Sequence, residues 1–228
     1  MKITDFGVAL VESDQWLSRW IQEQRTLAVA DGFCRLFTPY IPKGGVVLDV
    51  GACLGDHTVT YADMVGATGT VHAFEPNPEA YECLRHNTAH LTNVHRHHTA
   101  LGAGLAFGSC VANGEAPNNL GATQFREGKG GIPIQRLDAF AESWTRLDFI
   151  KIDAEGYEPD IIAGAMNTLR RLRPVLLVEI NRPLLAARGK SDADILRPLA
   201  ELGYTVIPCE PHLSMDMEQI DILCLPRK

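Results

Sequence analysis

The chain has 228 residues, 46% hydrophobic and 21% charged, and its 21 basic and 28 acidic side chains leave a formal charge of −7. That length fits one domain, or one domain with a short appendage, and surface scaling lets about 70% of the extended chain's surface be buried without covalent staples. The composition excludes disorder, collagen and coiled coil for the whole, and the acidic balance makes a polyanion such as nucleic acid an unexpected partner.

No window approaches ~18 uninterrupted apolar residues, so no membrane span is expected. The N-terminal stretch is broken by Asp5, Glu12 and Asp14; it does not read as a secretory signal, and a cytoplasmic location is the expectation. The six cysteines, Cys34, Cys53, Cys83, Cys110, Cys209 and Cys224, form no C-x-x-C pair and read as free thiols, mostly filling the core.

In chain order, residues 1–42 carry Trp16, Leu17, Trp20 and Ile21 at helical spacing behind Ser13 and Asp14, either of which can cap. This predicts an N-terminal helical appendage or lid with packed tryptophans, ahead of a main domain at 43–228. From Val46 to about Tyr204, short Val/Ile/Leu runs alternate with amphipathic stretches, the pattern of a parallel sheet covered by helices on both faces. Strands are predicted at 46–50, 70–74, 94–97, 147–152 and 174–180, and helices at about 55–65, 78–90, 158–171 and 191–202. Residues 103–136, rich in Gly, Asn and Pro, read as an insertion of turns and short strands between the third and fourth main strands. Runs from Tyr204 to Pro208 and from Gln219 to Leu225 suit an antiparallel hairpin closing the sheet edge.

The strongest local signal is VVLDVGACLGDH, Val46 to His57: a buried strand ending near Asp49, then Gly51 and Gly55 leading into a helix. Glycines there permit a tight turn and close approach to a ligand, and the helix start offers free N–H groups. The G-x-G-x-x-G turn that cradles a pyrophosphate is missing, which disfavours a dinucleotide. The second strand ends in VHAFEPNP, where Glu75 can accept hydrogen bonds from ribose hydroxyls.

The third block is LDFIKIDAEGYEPDIIAGA, Leu147 to Ala165. Lys151 falls in the middle of a covered strand, where an ammonium needs a carboxylate close by; Asp49, Asp153 and Glu179 are the candidates. Asp153 and Glu155 emerge at the strand's carboxyl end, and PVLLVEI delivers Glu179 to the same rim. Glu155 alternatively serves the positive end of a helix, and Glu179 alternatively serves as the counter-ion of Lys151. The HRHH run at 95–98 reads as a polar strand end, since alternate residues face opposite ways and at most His95 and His97 share a face.

Taken together, VLDVGACLGDHT, FEPNPEAYECLRHN, the ALG at 100–102, LDAF at 137–140, IKIDAEGYE at 150–158 and LVEI at 177–180 resemble the FkbM-type methyltransferases, which are similar to class I S-adenosylmethionine-dependent enzymes. The resemblance implies an α/β, Rossmann-like fold, with a seven-stranded, mostly parallel sheet, one antiparallel strand and helices on both faces. It implies S-adenosyl-L-methionine as cofactor and methyl transfer mostly to hydroxyls of sugars, polyketides or lipid-linked glycans. It sets the cofactor's amino acid end at Gly51, Ala52 and Gly55, beside Asp49, and its ribose at Glu75, next to Pro76. The adenine end falls near Ala100 and Leu101, and Asp153 beside the reacting centre. Cys53 stands where the family pattern favours a small polar residue.

A hydroxyl acceptor must lose its proton as the methyl arrives, so a base is needed within hydrogen-bond reach. Asp153, Glu155 and Glu179 are the local candidates, with His57 and His86 behind them and Lys151 holding the acidic rim together. Three carboxylates on one rim could alternatively hold Mg²⁺; the family pattern demands no metal, and none is assigned. The competing functional readings are an NAD(P)-dependent oxidoreductase and a non-catalytic cofactor-binding protein. The acceptor and the oligomeric state are not readable from these residues.

Overall fold

The computed structural model describes residues 1–28, 36–114, 116–209 and 214–227. Cys34 lies outside them. Two short antiparallel strands, β1 (Lys2–Ile3) and β2 (Ala9–Leu10), precede helix α1 (Leu17–Gln24). Asp14 caps that helix as its position predicts, accepting from the Trp16 and Ser18 amides at 3.2 and 2.6 Å. The Asn87 side chain pins β2, accepting from the Ala9 amide and donating to the Ala9 carbonyl and to that of Leu54.

The alternating region then runs β3 (Val46–Val50), α2 (Asp56–Val65), β4 (Thr70–Phe74), α3 (Pro78–Asn87) and β5 (Val94–His97). It is interrupted by β6 (Ala100–Leu101), β7 (Ala106–Val111), β8 (Gln124–Glu127), β9 (Ile132–Gln135) and the short helix α4 (Leu137–Phe140). It resumes with β10 (Phe149–Ile152), α5 (Glu158–Ala163), α6 (Met166–Leu172), β11 (Val175–Asn181), α7 (Arg182–Ala187), α8 (Ala193–Glu201), β12 (Tyr204–Pro208) and β13 (Gln219–Pro226).

The main sheet has seven strands in the order β12-β13-β11-β10-β3-β4-β5. All pairings among β11, β10, β3, β4 and β5 are parallel, and β13 alone runs against its neighbours β11 and β12. Alternation along the strands divides the core in two. Leu48, Val50, Ile150, Ile152, Leu176 and Val178 pack on one face with Ile162, Leu169 and Leu199 of the helices. Val47, Phe149, Leu177 and Val71 pack on the other with Tyr61 and Val65 of α2. Strands β6 to β9 form a second sheet of four, with Phe125 of β8 buried.

Three expectations are corrected. The predicted helix 158–171 is two helices, broken at Gly164, where an added Cβ would come within 1.9 Å of the Gly102 carbonyl oxygen. Residues 182–187, between the strand expected at 174–180 and the helix expected from about 191, are themselves helical, with the Asn181 side chain accepting from the Leu184 amide and Pro183 in the first turn. Trp16 and Trp20 are 63% and 39% exposed rather than packed, because α1 turns Ser18 and Ile21 inward instead. His95 and His97 share a face, as alternation along the strand allows, and stack on His72 of β4 with ring centroids 4.9 and 5.4 Å from its own, in an aromatic layer that extends to Phe74 and Trp144.

Candidate active site

The carboxyl ends of β3, β4 and β10 open into one cavity of about 940 Å³, counted to its open mouth. Its floor is the turn after β3. Gly51 sits at φ +80° and a Cβ there would lie 1.8 Å from the Asp153 carbonyl oxygen, so only glycine lets the ends of β3 and β10 meet this closely. The chain then passes through Cys53, at φ +47°, into α2. Asp56, in the first turn of α2, also lines the cavity, and burial lifts its carboxyl to about 6.

Glu75, only 6% exposed, forms the wall at the end of β4. Its two carboxylate oxygens accept from the Cys53 amide at 2.8 Å and the Asn77 amide at 2.6 Å. These bonds fix the side chain while leaving lone pairs for a ligand's hydroxyls. Burial nevertheless raises this carboxyl to about 7. Beside it, Phe74, Ala80, Leu101, Phe125 and Ile161 make an apolar slot of the kind a planar heterocycle fills.

A roof comes from distant parts of the chain. Leu17 of α1 and Leu120, Thr123 and Phe125 of the 103–136 region line the same cavity. The buried Asp14 carboxylate joins them, since the oxygen that accepts from Trp16 also accepts from the Leu120 amide at 3.1 Å, while the Gln15 amide donates to the Asn118 carbonyl at 2.8 Å. Tyr157, which also lines the cavity, donates its hydroxyl to Glu127 of β8, tying this sheet to the turn that follows β10.

The opposite wall is acidic. Lys151, buried in β10, donates to Asp153 Oδ2 at 3.1 Å. Burial alone would lower this ammonium's pKa, but Asp153 and Asp49, its cross-strand neighbour, hold it well above its ordinary value. Glu155 follows at φ +50°, and burial together with Asp153 and Glu158 lifts its carboxyl to about 8. Glu179, on β11, approaches from behind: Asp153, Glu155 and Glu179 each bring a carboxylate oxygen within 4.8 Å of the others. One Glu179 oxygen accepts from the Gln219 side chain at 2.7 Å and the other has no hydrogen-bond partner.

Of the residues assigned from sequence, Gly51, Glu75, Pro76, Ala100, Leu101, Lys151, Asp153 and Glu155 line this cavity. Asp49, Ala52, Gly55 and Glu179 stand behind its wall. Asp49 is fully buried and accepts from the Thr58 hydroxyl at 2.5 Å, facing Lys151 rather than the opening. Two alternatives are corrected. Glu179 bonds Gln219 and not Lys151. The backbone amides ahead of α5 are met by Glu158, whose carboxylate accepts from Ala154 and Gly156, and not by Glu155. His57 lines the cavity, whereas His86 contacts the Gly7 carbonyl at 3.1 Å on the far side of α3. Sequence reasoning missed Asp56, Asn77, Tyr157 and Gln219. The first two were signalled by their places, Asp56 directly after Gly55 and Asn77 two residues after Glu75.

The strand order, the single reversed strand and a cavity at the carboxyl ends beside the first βα turn define a class I methyltransferase fold. The chain belongs to the family described as the methyltransferase FkbM domain, whose model matches residues 49–206. It is 27% identical over 172 residues to a hexuronic acid methyltransferase of Haloferax volcanii, covering 73% of this chain and spanning 66% of that relative's length. Among solved structures it resembles an FkbM methyltransferase of Methylobacillus flagellatus at a TM-score of 0.50 and 15% identity, covering 80% of this chain and 44% of that one. A putative rRNA methylase of Clostridium thermocellum superposes at 0.55 and 11% identity, over 84% of this chain and 91% of that one. These likenesses establish the fold. The family's methyl donor is S-adenosylmethionine, and the cavity's residues fit it: a held carboxylate for a ribose, an apolar slot for an adenine, and acids for a sulfonium's positive charge. Among the described residues no helix is long and apolar enough to cross a membrane.

Proposed function

We propose that this chain transfers a methyl group from S-adenosylmethionine to a hydroxyl of a sugar or similar polyhydroxylated acceptor. When bound, the donor supplies a carbon already activated by its sulfonium leaving group. The protein's task is then to align two reactants and receive a proton. Glu75 and the turn from Gly51 to Asp56 hold the donor, and the apolar slot orients its base.

The observation that carries the reading is the acidic wall. Three carboxylates within 4.8 Å of one another at this wall suit an acceptor that must give up a proton. The hexuronic acid methyltransferase relative supports a sugar as the acceptor class.

A test uses methyl-labelled donor with neutral sugars, uronic acids and amines. The expected product is labelled in an alkali-stable ether. Label released by mild alkali would mean a carboxyl ester, and label on an amine would mean a nitrogen acceptor; either outcome overturns the hydroxyl assignment.

A further inference from the structure

Three carboxylates meet at one wall, and among the described residues a single cation is ion-paired with them. Lys151 bonds Asp153, while among the described residues neither Glu155 nor Glu179 has an ion pair. Three negative charges this close, with one ammonium between them, cannot all stay ionised in a half-buried site. The groups facing Glu179 add to this. Asp153 and Glu155 come from the turn after β10, and Asp221 lies directly across on β13. Glu155 in turn faces Asp153 and Glu158, with Lys151 opposing them.

Gln219 works the other way. It sits two residues from Asp221 on β13, diagonal to Glu179, and donates to one Glu179 oxygen, leaving the other aimed away and unpartnered.

We infer that Glu155 and Glu179 act as one proton acceptor, positioned by Gln219, which is loaded with a proton in the empty protein and emptied when a cationic ligand enters the cavity. The inference rests on the hydroxyl-acceptor reading and deepens it. In the reaction, an acceptor oxygen gains the methyl group and its proton passes to the Glu155–Glu179 pair, while the carbon–sulfur electron pair stays with sulfur. The base is thereby created only when the methyl donor is present. Burial and the surrounding acids, which hold Glu155 at about 8 and Glu179 at about 9, are consistent with a proton resident at neutral pH.

The test needs no acceptor. S-adenosylmethionine and S-adenosylhomocysteine share every group except the charged sulfonium, so titrating each into the full chain near pH 8, in buffers of differing ionisation enthalpy, isolates that charge. The expected result is a proton released with the sulfonium ligand, in excess of any released with the thioether. Glu155→Gln and Glu179→Gln are each expected to shrink the excess while retaining thioether binding, which also certifies folding. Gln219→Leu is expected to move the release to higher pH, whereas mere structural damage would weaken both ligands alike.

Equal proton counts for the two ligands in the unmutated chain overturn the inference. So does an excess that both variants leave intact. Heat from Mg²⁺ alone that Glu179→Gln abolishes would make the cluster a cation site instead. Discovery of an ester or amine product would remove the hydroxyl reading but leave the measured proton release standing, so the two failures are distinguishable.

Discussion

The two walls of the cavity are built on opposite terms. Around Glu75 every oxygen is met by a backbone amide that the β3 and β4 turns hold in place. Around Glu155 and Glu179, like charges crowd together, and among the described residues one Glu179 oxygen has no hydrogen-bond partner. On the proposed reading, the first wall binds the donor, the second carries electrostatic tension that a ligand can relieve, and donor binding and proton transfer fall to different strand ends of the same sheet.

The largest test of that contrast is Lys151→Met. It leaves the fully buried Asp49 and the neighbouring Asp153 without their ammonium, and removing one partner of a buried pair costs about 3–5 kcal/mol. Urea unfolding should record that loss; a cost below about 1 kcal/mol would mean that the lysine does not hold the acidic wall together. Next comes Glu75→Gln, which removes the charge but keeps the shape. Hydrogen bonds to a charged group are worth about 1.5–3 kcal/mol, so S-adenosylhomocysteine affinity by calorimetry should fall by about 10- to 100-fold; because the new amide nitrogen cannot accept from whichever of the Cys53 and Asn77 N–H groups it faces, urea unfolding should also register a loss of about 1–3 kcal/mol. An unaltered affinity would separate the binding wall from this carboxylate.

The smallest effect sharpens the comparison through pH. Glu155 and Glu179 have folded pKa values raised from 4.5 to about 8 and about 9, so between those limits the folded state holds more protons than the unfolded one. Their contribution to stability is therefore complete below about 4.5 and is lost as pH rises toward 9. The melting temperature of the ligand-free chain should fall across that range, and Glu179→Gln should flatten the fall. A slope that this variant does not change would show that the tension lies elsewhere.

Much of the frame could be read from residues in order, because burial on both sheet faces leaves a plain signature. Val46–Val50, Thr70–Phe74 and Val94–His97 form strands where periodicity sets them. Gly51 and Glu75 were legible for the same reason, since a turn and a strand end are local features. What escaped depends on contacts between distant segments. The break at Gly164 is imposed by the Gly102 carbonyl, and helical periodicity cannot report a neighbour over sixty residues upstream. Gln219 reaches Glu179 only through the register of an antiparallel pair, and the exposure of Trp16 and Trp20 follows from which side of α1 meets the core. The short helix at Arg182–Ala187 was a local miss, as Asp56 and Asn77 were at the site, for Asn181 and Pro183 are ordinary start signals.

Asp14 has a practical consequence for anyone who rebuilds this protein. Its carboxylate belongs to the first helix and to the segment around Leu120 at once, although the two are 106 positions apart. Grafting either piece alone from a homologue strips an amide or an acid of its mate, a penalty of about 1–3 kcal/mol before any new substrate is tried. Chimeras meant to change the acceptor should therefore exchange both pieces as a matched set.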